Sequence, residues 1–184
     1  MSTLNLILDR RIAANEWITL ADDAALPASG KFIVSLKRWR AEREALAASG
    51  LPVGVRIPNT EDVTTLAHEI TGQALIAVEI PKFSDGRAYS QARVLRERYG
   101  YKGEIRAVGD VAHDQLFHMS RCGINAFELR AGEDPQDCLR AFGDYDLAYQ
   151  QAADGVETVW RRRSRDPGPG TRDPGTAKTA LRPE

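Results

Sequence analysis

Residues 82–87 read Lys-Phe-Ser-Asp-Gly-Arg, which places Lys82, Ser84, Asp85, Gly86 and Arg87 just ahead of a helical pattern. A helix N-terminus offers free backbone N–H groups and partial positive charge, so a lysine, an arginine and a serine hydroxyl beside it complete a donor set for an anion. The same residues also make an ordinary capped helix start, with Ser84 or Asp85 as the cap. Gly109-Asp110 is a second junction: the glycine permits a tight turn, and Asp110 is either an N-cap or a carboxylate facing the same edge as Asp85. Asp85 and Asp110 are therefore the candidate acid or base groups. Arg130 ends a later apolar run and adds a fork of donors suited to carboxylate, phosphate or a sulfur oxyanion. Arg56 and Asn59 take the corresponding place in an earlier run. Together Arg56, Lys82, Arg87 and Arg130 outline a positive rim for a small anionic ligand or an acidic protein surface.

Other chemistries find little support. Neither G-x-x-x-x-G-K-[ST] nor G-x-G-x-x-G stands at these junctions, and no G-x-S-x-G elbow or Cys-His pair is visible. His113 and His118 are five apart, about 140° around a helix, which is poor for chelating one metal, and His68 belongs to another helix. Cys122 and Cys138 are too few for a disulfide framework or a four-thiolate cluster and read as packed, reduced helix residues. No metal and no cofactor is expected.

These junctions need strands to hold them. LIAVEI (75–80), EIRAVG (104–109) and NAFELR (125–130) are short apolar runs, each followed by a helical pattern, as are FIVSL (32–36) and VGVRI (53–57). Helices are expected from Thr60, as N-cap, to about Thr71; from Ser84 or Asp85; from Asp110 to the stop at Gly123; and from the Asp134-Pro135 cap. Five strand–helix pairs imply an α/β fold with a mainly parallel sheet, either doubly wound in flavodoxin-like order or part of a (βα) barrel. Ligands in such sheets sit outside the carboxyl ends of the strands, so the junctions share one edge. A doubly wound sheet also admits flavin, by analogy of fold alone.

Four strands carry a charge: Arg56, Glu79, Arg106 and Glu128. A sheet covered on both faces resists this, whereas a curved sheet with an open interior can pair them as alternating salt bridges. The series also arises if Arg106 lies on an edge strand and the others at solvated strand ends. The first residues, 4–20, read as two short strands or a strand and a turn, and 21–30 as a loop. Tyr145, Leu147, Tyr149 and Trp160 are expected to pack back on the domain. From Arg163 the chain turns to Arg, Pro, Gly and Thr and reads as a disordered tail, leaving residues 1–162 as one domain.

A formal net charge of −1 gives no reason to expect nucleic-acid binding, and no apolar run approaches the roughly 20 residues of a membrane span. With no cleavable leader pattern the expected location is the cytoplasm.

The stretch 80–129, IPKFSDGRAYSQARVLRERYGYKGEIRAVGDVAHDQLFHMSRCGINAFEL, closely resembles the signature of a proteobacterial family of unknown function, usually labelled as a sulfite-reduction oxidoreductase. The similarity extends more weakly from about Asn15 to Arg163, including the Tyr149-Gln150 pair. The resemblance implies genes beside those for assimilatory sulfite reductase and adenylylsulfate reductase; it supplies no catalytic residues. The expected function is thus an accessory or partner protein of assimilatory sulfite reduction, without its own redox centre, that meets sulfite reductase components. The alternative is a small enzyme acting on an anionic substrate, a sulfur oxyanion or phosphorylated compound, at the carboxyl edge.

Overall fold

The computed structural model describes residues 5–143 and 149–165. Eight strands form one sheet: β1 (Leu6–Leu8), β2 (Arg11–Ala13), β3 (Trp17–Thr19), β4 (Lys31–Ser35), β5 (Val53–Ile57), β6 (Leu75–Ile80), β7 (Glu104–Gly109) and β8 (Ala126–Glu128). Their order is β2-β1-β8-β7-β6-β5-β4-β3, with β3 through β8 parallel and β1 antiparallel to both β2 and β8. The parallel run is monotonic, so it has no flavodoxin-like switch point, and the sheet is a curled half-barrel.

Chain length alone forces the curl. β2 and β3 are the two edges of the sheet, yet β2 ends at Ala13 and β3 begins at Trp17. A flat eight-stranded sheet would hold its edges about 33 Å apart, while the Cα steps from Ala13 to Trp17 span at most about 15 Å. The opening residues hold three strands rather than two. Asp9 and Arg10, at φ 48° and 61°, make the tight β1–β2 turn in the left-handed geometry that matches strand twist.

Alternation along the strands sorts their side chains. Val34, Val55, Val78, Ile105 and Phe127 join one large core with the helices on the outer face. These helices are α1 (Leu36–Ala41), α2 (Arg43–Ala48), α3 (Val63–Ile70), α4 (Arg87–Glu97), α5 (Leu116–Arg121) and α6 (Pro135–Arg140). The inner face has its own small cluster of Ile33, Leu75 and Ala77, with Trp17 and Val108 against it.

Several helix starts differ from the sequence reading. Asp62, not Thr60, caps α3, its Oδ1 accepting from Thr64 N at 2.9 Å. α4 begins at Arg87 behind Gly86, and Asp85 reaches Arg87 N from one residue further back. A 3₁₀ turn, His113–Gln115, precedes α5, so Asp110 caps no helix. Asp134-Pro135 opens α6 as read, with Oδ1 accepting from Gln136 N at 2.9 Å.

The last helix among the described residues, α7 (Val159–Arg165), takes in Arg163, the residue at which the sequence places the start of the tail. Residues 166–184 lie outside the described residues, as do Tyr145 and Leu147. Tyr149 and Trp160 are 65% and 54% exposed; they meet each other edge-to-face at 5.8 Å instead of packing on the core. No helix among the described residues is long and apolar enough to cross a membrane.

Candidate ligand site at the carboxyl edge

The loop 81–86 after β6 carries Lys82, Ser84, Asp85 and Gly86 and leads to Arg87. It is clamped at Phe83, whose N–H donates to Asp110 Oδ2 at 2.9 Å and whose carbonyl accepts from Gln115 Nε2 at 3.0 Å. Asp85 accepts from Arg87 Nη2 at 2.6 Å and Nε at 3.0 Å, and from Asn59 Nδ2 at 2.7 Å. The Arg87 hydrogen bond holds the Asp85 carboxyl far below the usual carboxylate range.

Asp110 ties three strand ends together. Gly109 has φ 106°, and a Cβ there would stand 2.5 Å from the Ile80 carbonyl oxygen, so only glycine fits. That close approach lets Asp110 N bond to Ile80 O at 2.7 Å. Asp110 Oδ1 then accepts from Arg130 Nη1 at 2.9 Å, and Arg130 Nε donates to Glu133 Oε1 at 3.0 Å. Arg130, and after it the Phe83 N–H, lowers the Asp110 pKa.

Arg130 is joined to the 81–86 loop through Asp110, and the positive charge of Arg87 and of Arg130 is neutralised within the fold. Arg87 and Arg130 each face carboxylates, while the exposed Lys82 and Ser84 side chains make no hydrogen bond or ion pair among the described residues. Arg56 is not on this loop cluster; it points into the half-barrel.

The inner face explains the four strand charges. Arg106 is 1% exposed and lies on β7, between β6 and β8, not on an edge. Its Nε donates to Glu104 Oε1 at 2.7 Å and its Nη1 to Asn15 Oδ1 at 2.8 Å, with Glu128 at 3.9 Å. One layer higher, Arg56 Nε lies 3.0 Å from Glu79 Oε1. The charges pair in the interior, as a curved sheet allows. Above them opens a cavity of about 240 Å³, to which Thr19, Ile33, Arg56, Glu79, Val108 and Glu128 contribute. The Arg56–Glu79 pair also borders a second recess, of about 410 Å³, beside Lys37 and Arg40.

Asn15 and Glu104 were missed by sequence reasoning. Glu104 has a readable signal, two residues before Arg106 on the same strand face; Asn15 has none, because it reaches β7 only through the curl. At the opposite edge Arg96, also missed, donates to the carbonyls of Gly123, Tyr101 and Gly103 and to Asn125 Oδ1, a structural tie beside a recess of about 370 Å³.

Nucleophiles and metal ligands are poorly placed. Cys138 is buried, and burial with the nearby Glu133 pushes its thiol up to about 11. Burial also raises the half-buried Cys122. Among the described residues no three His, Cys, Asp or Glu side chains gather as a metal site.

A different surface surrounds α7. Val156 is exposed with Tyr149 and Trp160, and Arg161 and Arg162 are exposed without any ion pair among the described residues. Arg163 stacks over Trp160 at 5.9 Å. Arg121 anchors the segment through Asp154 Oδ2 at 3.2 Å.

The chain belongs to a family of bacterial proteins of unknown function, DUF934, whose profile matches residues 54–160. No curated protein matches it.

Proposed function

We propose that this DUF934 chain is a partner protein of assimilatory sulfite reduction, which docks an acidic component of that system through the face around α7. The sulfur connection comes from the resemblance of residues 80–129. The observation that carries the docking role is a contrast in charge: the carboxyl-edge arginines are occupied by Asp85, Asp110 and Glu133, while Arg161 and Arg162 stand exposed on α7, the helix that also carries the exposed Trp160. Arginine, tryptophan and tyrosine are the residues that most often dominate binding energy at interfaces. An acidic partner supplies the charge these arginines lack.

The test is a pull-down with the tagged full chain from cells grown on sulfate as sole sulfur source. The reading predicts recovery of sulfite reductase components and their loss with Arg161→Glu/Arg162→Glu. Recovery of the chain without any of them overturns it.

The second reading is an enzyme on an anionic substrate, with Lys82, Arg87 and Arg130 binding the anion and Asp85 or Asp110 as acid or base. The unengaged Lys82 and Ser84 beside α4 favour it. Against it, a general acid or base works best with a pKa near the working pH, and both carboxyls are displaced downward. Arg87→Ala separates the two: it abolishes turnover in an enzyme and leaves the partner complex intact in a docking protein.

A further inference from the structure

We propose that the 240 Å³ cavity inside the half-barrel binds a small zwitterionic α-amino acid with an apolar side chain. This stands apart from the docking role and uses different residues. Two layers of charge line the interior. In the lower one Arg106 donates to Glu104 and Asn15. In the upper one Arg56, Glu79 and Glu128 border the cavity with side chains 38%, 35% and 35% exposed. None of these three makes a side-chain hydrogen bond among the described residues: Arg56 and Glu79 meet as an ion pair, and Glu128 lies 3.9 Å from Arg106, beyond hydrogen-bond reach. Beyond the Arg56 Nε–Glu79 Oε1 contact, the Arg56 Nη groups, the second Glu79 oxygen and the Glu128 carboxylate remain available to an occupant.

The chemistry of that occupant follows. Arg56 offers N–H groups to a carboxylate, and Glu79 and Glu128 offer acceptors to an ammonium. Ile33, Ala77 and Val108 supply an apolar wall. One positive and two negative groups leave the upper layer net negative, which disfavours a bare oxyanion and suits a ligand with a cationic end. The volume lies below the roughly 300 Å³ at which pockets for drug-sized ligands begin, so the ligand is amino-acid-sized.

Isothermal titration of the full chain with L-alanine, L-leucine and L-methionine tests this. For an amino acid that binds, the amide, lacking the carboxylate, and the des-amino acid, lacking the ammonium, bind about tenfold or more weakly. Glu128→Gln weakens binding similarly, with circular dichroism reporting its fold, and sulfate does not compete. The proposal is overturned if none of the three amino acids binds, if either truncated analogue matches its parent, or if sulfate displaces the ligand. The analogue series on the unaltered protein decides the matter even if Glu128→Gln fails to fold.

Discussion

Arg106 and Arg161 carry the same guanidinium and are put to opposite uses. Arg106 is 1% exposed and satisfied by Glu104 and Asn15, with Glu128 nearby. Arg161 is exposed and has no ion pair among the described residues. Burying a charge requires partners inside the fold, so Arg106 is part of the architecture; a solvated charge requires none, so Arg161 is available to another molecule. Arg56 stands between, ion-paired but with N–H groups to spare.

The largest effects are expected at the buried charges. Arg106→Ala strands Glu104 inside the half-barrel and lowers stability by about 3–5 kcal/mol, measured by urea denaturation. Gly109→Ala forces a left-handed φ on a side chain that meets the Ile80 carbonyl; a loss of about 1–3 kcal/mol is expected, and loosening of Asp110 should accompany it. Asn15→Ala removes one acceptor from Arg106 and costs about 1–3 kcal/mol. A matching urea midpoint for Arg106→Ala and the unaltered chain would show that the inner layer is not structural.

Smaller effects are expected at Arg56 and Asp110. Arg56→Ala leaves a half-exposed Glu79 that water can solvate, so stability falls by less than about 1 kcal/mol. Asp110 is lowered by Arg130. Its depressed folded pKa means that the stability it contributes is fully present above the unfolded value of about 3.9 and is lost as pH falls through the folded one. Asp110→Asn should therefore flatten the melting-temperature profile below about pH 4 and lower the plateau above it; an unchanged acid slope contradicts the pairing.

The parts legible in the sequence were those set by neighbouring residues. Apolar runs such as LIAVEI marked parallel strands, and Asp134-Pro135 marked a helix start that the structure keeps. Local signals misplaced the α3 cap by two residues, because Thr60 and Asp62 both have capping side chains and only tertiary packing chooses. The pairing of Arg56, Glu79, Arg106 and Glu128 stayed open because it depends on the curl, which the short link between Ala13 and Trp17 imposes. Asp110 looked like a cap because its turn resembles one; its true partners, Phe83 N and Arg130, lie on other strands' loops. Lys82, Ser84, Asp85, Gly86 and Arg87 share a loop simply because they share a sequence segment, whereas the neutralisation of Arg130 by Asp110 needed three dimensions.

The most direct measurement is a titration of the purified full chain against purified sulfite reductase components at low and high salt. The expected result is a complex that weakens as salt rises and disappears with Arg161→Glu/Arg162→Glu, while that variant melts at the temperature of the unaltered chain. No complex at low salt, or one indifferent to the charge reversal, would contradict it.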